Sequence, residues 1–224
     1  PQIDFFFFYF PPVYISEIEG ITSQATGQQI KRWSLACPYT PKRMMQLPER
    51  TVYRKIVQTG HMAEKLGANI LGLGAFTSVV GDAGVTIAQN LDIPVTTGDS
   101  FTVMMAVQAI REAAKVMDIN MADATVAIVG ATGSIGRVCS ELLAGEAART
   151  LLVARDEKKL EVLRDRLKLH ARSELVISTK MDVLKEAQLI LTVTSAIHDV
   201  IHPEHLQAGS VVCDVARPRD VSAM

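Results

Sequence analysis

From residue 125 onward, short unbroken apolar runs alternate with longer segments in which apolar residues return every three or four positions. The runs are 125–129 (TVAIV), 150–154 (TLLVA), 175–178 (LVIS), 189–194 (LILTVT) and 210–215 (SVVCDV). Such a run, rich in β-branched residues and apolar on both faces, predicts a buried parallel strand. The periodic segments 135–143 and 157–169 predict helices, and 184–187 closes a further short one. Strand–helix alternation of this kind calls for a parallel sheet with right-handed crossovers.

The first hundred residues are patterned differently. Residues 14–22 and 30–36 read as strands, with SQATGQQ between them supplying turn chemistry around Gly27. Residues 47–66 have helix periodicity, with Pro48 allowed in the first turn and Gly67 as the stop. Two short strands follow at 69–73 (NILGL) and 94–96, with a helix over 81–90 between them. A long helix is predicted over 101–117, with Asp99 or Ser100 as its N-cap. Near the start, six aromatic residues run from Phe5 to Phe10 ahead of Pro11 and Pro12. They read as an apolar strand on the core, or as one wall of a site for an apolar ligand.

The stretch TVAIVGATGSIG (125–136) carries the most chemistry. A strand runs into Gly130, then Gly133 and Gly136 follow at three-residue spacing and a helix begins. Glycines let the backbone approach a pyrophosphate, and the exposed N–H groups and dipole of the helix start favour an anion. G-x-x-G-x-x-G is a variant of the dinucleotide fingerprint, and the strand before it and the helix after it strengthen the match. Gly130, Ala131, Thr132, Gly133, Ser134 and Ile135 are therefore the expected cradle. The next strand ends at Ala154 and Arg155, with Lys158 and Lys159 close behind. A guanidinium there suits a 2′-phosphate, so the expected cofactor is NADP rather than NAD; Asp156 could instead serve a ribose hydroxyl. The carboxyl ends of the last two strands put Thr194, Ser195 and Ala216 beside the nicotinamide half.

Composition narrows the partners. With 48% hydrophobic residues and a formal net charge of −1 over 224 residues, nothing electrostatic calls for nucleic acid. No apolar run approaches the ~20 residues of a membrane helix. Cys37, Cys139 and Cys213 are odd in number and widely spaced, which suits a reducing cytoplasm better than a disulfide framework or a zinc site. His198 and His202 have metal-pair spacing, but Pro203 breaks the helical face that a pair would need, so no metal is expected. Cys37 alone lies in a loop, near Lys42 and Arg43. The chain starts at Pro1 and stops just after RPRDV, which reads as a piece of a longer protein.

Two small, hydroxyl-rich loops remain, 74–78 (GAFTS) and 96–100 (TTGDS), each at a strand's carboxyl end. Ligands collect at such ends in open α/β sheets. Thr97, Ser100 and Ser78 are the candidate active-site residues, against the alternative that Ser100 or Asp99 only caps the helix. The fold expected is α/β: a smaller substrate domain over 1–100, then a Rossmann-type parallel-sheet domain over 101–224.

With these residues in view, the chain resembles the long-chain acyl-[acyl-carrier-protein] reductases, which make fatty aldehydes. The resemblance runs from about residue 11 to about 218 through GLGAFTSVV (72–80), PVTTGDSFT (94–102), ATVAIVGATGSIGRVC (124–139) and LLVARDEKKLEVL (151–163). It implies an NADPH enzyme acting on an acyl thioester, on acyl carrier protein or coenzyme A, through an acyl-enzyme on a cysteine. That cysteine belongs to a C-terminal segment past the matched stretch, so the resemblance assigns no nucleophile here. It also makes the N–H groups and hydroxyls around 97–100 candidates to stabilise a thioester carbonyl. A shorter resemblance, over the 96–100 loop and the glycine unit, reaches domains of the shikimate-dehydrogenase and methylene-tetrahydromethanopterin-dehydrogenase types. It implies a small polar substrate. A non-catalytic NADP-binding module is the third reading, and no oligomeric state is assigned.

Overall fold

The computed structural model describes residues 10–196, 198–216 and 219–222. Five of the six clustered aromatics lie outside the described residues, and the sixth, Phe10, is exposed. The chain divides into two compact units, Pro1–Gly98 and Asp99–Met224.

In the first unit, β1 (Val13–Thr22) and β2 (Gln29–Ala36) form an antiparallel hairpin turned at Gly27, whose φ is +70°. Its register shifts between Tyr14 and Ser16 and again between Ile18 and Ile21. Helix α1 (Pro41–Gln46) was not foreseen; the Thr40 side chain accepts from the Arg43 N–H and Pro41 opens the first turn, a local start signal that two nearby prolines disguise. Helix α2 (Glu49–Lys65) follows the expected pattern, burying Val52, Ile56, Thr59, Gly60 and Ala63 along one stripe. It stops before Gly67, at φ +86°. Strands β3 (Leu71–Gly72) and β4 (Val95–Thr96) pair in parallel as a small separate sheet. Between them, α3 (Val85–Ala88) is much shorter than the helix predicted over 81–90. Gly81 and Gly84 adopt φ of +68° and +88°, which a right-handed helix cannot contain. Gly81 also makes room for a neighbour, because a Cβ there would sit 1.6 Å from the Tyr53 hydroxyl. Tyr39, Met44, Val52, Ile56, Leu73, Val80 and Ile87 make the core of this unit.

The second unit opens with α4 (Asp99–Val116). Then come β5 (Thr125–Val129), α5 (Ser134–Leu143), β6 (Arg149–Val153), α6 (Glu157–Leu167), β7 (Glu174–Ser178), β8 (Leu189–Thr192) and β9 (Val211–Asp214). The strands form one parallel sheet in the order β7-β6-β5-β8-β9, so the chain starts in the middle and winds out both ways. This is the expected Rossmann-type α/β architecture. Alternation along β5 explains the layering: Val126 and Ile128 pack with Val107, Ile110, Cys139, Leu143 and Leu160, while Ala127 and Val129 join Leu184, Ile190 and Ile201 on the other face. The first face carries α4, α5 and α6. On the second, the expected short helix is a 3₁₀ segment, Met181–Glu186, joined by another at Pro203–His205. Asp99 and Ser100 are the first two residues of α4, not residues ahead of it.

Candidate functional site

The carboxyl edge of the five-stranded sheet is built around the turn from β5 into α5. Gly130 has φ +85°, and its N–H and that of Ala131 both donate to the Val153 carbonyl, at 2.8 and 3.1 Å, which pins the turn to β6. The turn is packed to its limit. A Cβ on Gly136 would lie 2.1 Å from the Gly130 carbonyl oxygen, and one on Gly130 would meet the Val193 backbone at 3.1 Å. No side chain caps α5 at Gly133, and the Ser134 and Ile135 N–H groups have no acceptor among the described residues. Donors, dipole and a surface that a Cβ would fill fit a pyrophosphate. Ala131 departs from the expected cradle. It is fully buried with its N–H occupied, so it supports the turn and offers no donor of its own. Thr132, Gly133 and Ser134 are accessible, and Ile135 packs partly on the core.

At the end of β6, Ala154 is half-buried and Arg155 and Lys158 are exposed, with no ion-pair partner among the described residues. Asp156 is engaged: its carboxylate accepts from the Lys159 N–H at 3.1 Å and caps α6. The sequence alone does not single out Lys180. It stands two residues beyond Ser178, which pairs with Val153, just as Arg155 stands two beyond Val153. Only the strand register could have brought the two cations to one corner.

The far side of the same edge holds Thr194, Ser195 and Ala216. Thr194 is tied to Asp220, Ser195 is exposed, and Ala216 is buried with its N–H donating to Asp214 at 3.0 Å. Asp214 and Asp220 also escaped sequence reading, since an isolated acidic residue carries no periodic signal.

The hydroxyl-rich residues fall into both units: Ser78 and Thr97 belong to the first and Ser100 to the second. Within the first unit, β3 and β4 end side by side, with Gly72 opposite Thr96 and the Leu73 N–H donating to the Thr96 carbonyl at 2.8 Å. Residues 74–78 and 96–98 thus leave one sheet edge. There Ala75 holds a left-handed φ of +50°, rare for a residue with a Cβ. The Ser78 hydroxyl donates to the Ala75 carbonyl at 2.7 Å, and Thr77 does the same to Gly74.

An open cavity of about 1140 Å³ begins at this edge, at residues 74–77 and Thr96, and is walled by Ile30, Trp33, Leu35, Tyr39, Ile56 and Phe76. Cys37 also lines it. Burial pushes the Cys37 thiol up, against weaker opposing effects of the Tyr39 backbone, Lys55 and Thr59, and a raised pKa works against a nucleophile. Burial likewise raises Cys139, to about 11, and Cys213. His202 and His205 cap a 3₁₀ turn together. Among the described residues, no group of three or more His, Cys, Asp or Glu could hold a metal, and no helix is long and apolar enough to cross a membrane.

The chain is similar to several known proteins. The sequence model of the shikimate / quinate 5-dehydrogenase family matches residues 111–224. The chain is 37% identical over 159 residues to the aminotransferase PigE of Serratia sp. (strain ATCC 39006), covering 70% of this chain and 18% of that protein. It is 30% identical over 223 residues to the long-chain acyl-[acyl-carrier-protein] reductase of Synechococcus elongatus (strain ATCC 33912 / PCC 7942 / FACHB-805), covering 95% of this chain and 63% of that one. The chain therefore spans less than two thirds of either relative. Among solved structures, the nucleotide-binding domain of glutamyl-tRNA reductase from Thermoplasma volcanium matches with a TM-score of 0.42 and 14% identity, over 55% of this chain and 80% of that one. Dipicolinate synthase from Bacillus halodurans matches with a TM-score of 0.47 and 16% identity, over 78% and 57%.

The sheet order, the glycine turn and the open helix start define the nucleotide-binding domain of an NAD(P)-dependent oxidoreductase. Through that domain, the chain belongs to the shikimate / quinate 5-dehydrogenase family, and it is homologous to the long-chain acyl-[acyl-carrier-protein] reductase.

Proposed function

We propose that this chain is the substrate- and NADPH-binding part of a reductase that converts a fatty acyl thioester to an aldehyde. The observation that carries the reading is the cavity of about 1140 Å³ in the first unit, where Ile30, Trp33, Leu35, Ile56 and Phe76 supply apolar wall, Lys31 and Arg32 also line it, and Thr77 and Thr96 stand at its sheet-edge end. A long acyl chain gains about 0.8 kcal/mol for each CH₂ it buries against the apolar part of that wall. The first unit is then the substrate domain and the second the cofactor domain.

NADPH would supply the hydride, so that thioester, NADPH and a proton give aldehyde, thiol and NADP⁺. Thr132, Gly133, Ser134 and Ile135, on the turn shaped by Gly130 and Ala131, would hold the pyrophosphate. Arg155 and Lys158, with Lys180 beside them, would take the 2′-phosphate, and Asp156 stays with its helix. Thr194, Ser195 and Ala216 would border the nicotinamide half. Thr97, in the first unit, and Ser100, in the second, are each candidate donors to the thioester oxygen as it gains negative charge. Ser78, whose proton is already used in its own turn, would shape the loop rather than donate. No nucleophile is assigned.

The test is NADPH oxidation with a long-chain acyl-CoA and with the same acyl group on acyl carrier protein, with aldehyde detected directly. It is run on this chain and on the full protein that contains it. The family membership favours a second reading, a dehydrogenase of a small polar hydroxy acid, so shikimate with NADP⁺ is assayed in parallel. Turnover of shikimate without aldehyde from either thioester would refute the proposal. NADPH binding with no turnover of any substrate by the full protein would instead favour a non-catalytic module.

A further inference from the structure

The fully buried carboxylate of Asp220 sits among donors only. It accepts from the Thr192 hydroxyl, from the Thr194 N–H at 3.1 Å and from the Thr194 hydroxyl at 2.5 Å. A carboxyl group surrounded by three donors acts as an acceptor throughout. Its own backbone is fixed as well. The Asp220 N–H donates to Asp214 at 3.0 Å, and its carbonyl accepts from the Val200 and Ile201 N–H groups at 2.8 and 2.9 Å. Asp214 is the last residue of β9, so the two carboxylates in series tie the end of β9 to the end of β8.

What they hold is the wall behind the glycine turn. The Thr194 Cα lies 3.2 Å from where a Gly130 Cβ would be, so the two chains touch with no room to slide. The Thr194 hydroxyl spends its one proton on Asp220 and accepts the Ala196 N–H at 3.1 Å. Both neighbours of Ser195 are thereby pinned, while Ser195 itself is exposed with no hydrogen-bond partner among the described residues. We infer that Asp220 is a positioning residue: acting through Thr194, it aims Ser195 and its backbone at the nicotinamide half of the bound cofactor. The inference rests on the cofactor reading above and goes beyond it, because Asp220 would touch neither cofactor nor substrate. An apolar or amide side chain could fill the space, but only an acceptor on both oxygens fixes the Thr194 proton in this direction. In Asp220→Asn, one oxygen becomes an NH₂ facing donors, and the Thr194 hydroxyl is released or reversed.

The probes are NADPH, which has both halves, and adenosine 2′,5′-bisphosphate, which has only the half bound at the other end of the site. Titrations of wild type, Asp220→Asn, Thr194→Val, Thr194→Ser and the Asp220→Asn/Thr194→Val double variant are compared at a temperature where circular dichroism shows each to be folded. The expected result is roughly tenfold weaker NADPH in Asp220→Asn and in Thr194→Val, with the bisphosphate changed less than about twofold. Thr194→Ser, which keeps the hydroxyl, should recover most of the affinity that Thr194→Val loses. The double variant should be no weaker than the weaker single variant, because both changes break one chain of bonds. If Asp220→Asn does not fold, the two Thr194 variants carry the test, since they leave the Asp220 backbone bonds intact. Equal losses for both probes, or additive losses in the double variant, would overturn the inference and leave Asp220 a purely structural residue. A wild type that binds neither probe would overturn the cofactor reading itself, and this inference with it.

Discussion

Replacing Gly136 by alanine separates two effects that usually travel together. In an exposed helix interior the change would stabilise by about 1 kcal/mol, because glycine is the poorer helix former. Here the added Cβ would stand 2.1 Å from the Gly130 carbonyl oxygen, 2.9 Å from its carbon and 3.0 Å from the Ala131 Cα. All three atoms are backbone, in a turn already pinned to β6 by two hydrogen bonds. No rotamer relieves the contact, so α5 must withdraw by about 1 Å, and overpacking of this kind costs typically 1–3 kcal/mol. At the upper end of that range the net expectation is a loss of about 2 kcal/mol, opposite in sign to the propensity effect. Urea unfolding followed by circular dichroism measures it, with Gly133→Ala as the comparison, since a Cβ there meets only the Gly130 oxygen at 3.3 Å. An unchanged urea slope would show that the compactness of the end states is unaltered. NADPH should also bind more weakly to Gly136→Ala, because the turn that would face the pyrophosphate has moved. Stability equal to or above that of wild type would refute the reasoning and mean that the turn yields freely.

Three further outcomes are expected. Arg155→Ala should weaken NADPH about ten- to a hundredfold, from ~1.5–3 kcal/mol per charge-assisted hydrogen bond, and NADH much less; equal losses in parallel titrations would remove the 2′-phosphate assignment. Thr97→Ala and Ser100→Ala should each cut turnover by roughly a hundredfold or more, as removal of a donor worth ~2.7–4 kcal/mol does, with NADPH affinity nearly unchanged. Turnover at wild-type level in both, measured below the melting transition, would leave these residues with only a role in starting α4. Burial holds the Cys139 thiol protonated up to about pH 11, against an ordinary value of 9.0. A raised pKa means that the folded state binds the proton more tightly, so this stabilisation is complete below pH 9 and fades as pH rises towards 11. Melting temperatures of wild type and Cys139→Ala across that window should converge as pH increases; parallel curves would contradict the linkage.

The second unit was largely legible in the sequence because its strands are buried on both faces and announce themselves as unbroken apolar runs. TVAIV and LILTVT need no partner to be recognised. The glycine turn was legible for a related reason: glycine spacing reports backbone shape, and backbone shape is what the turn uses. Ala131 could not be judged that way, since its burial depends on what packs above the turn. In the first unit, composition misled. Residues 81–90 have helical periodicity, yet only Val85–Ala88 is helical, because the positive φ of Gly81 and Gly84 is set by the fit around Tyr53 and Leu73. Lys180, Asp214 and Asp220 escaped because their placement follows from register and hydrogen bonding between segments far apart in sequence.

The β1–β2 hairpin has a consequence for how the protein behaves in a crowded solution. Ile15, Ile18, Ile21 and Ile30 are exposed on it, and among the described residues no third strand joins it. An open, apolar strand edge is a template on which another chain can add and start an aggregate. Two features oppose that. The register shifts at Tyr14/Ser16 and Ile18/Ile21 bend β1, so a straight incoming strand cannot match it over its length. Lys31 lies 2.6 Å from Glu17 and 3.3 Å from Glu19, which sets charges among the isoleucines that an added strand would have to bury. Glu17, which also accepts the Trp33 indole N–H at 2.8 Å, thus contributes less to holding the hairpin together than to keeping neighbouring molecules off it.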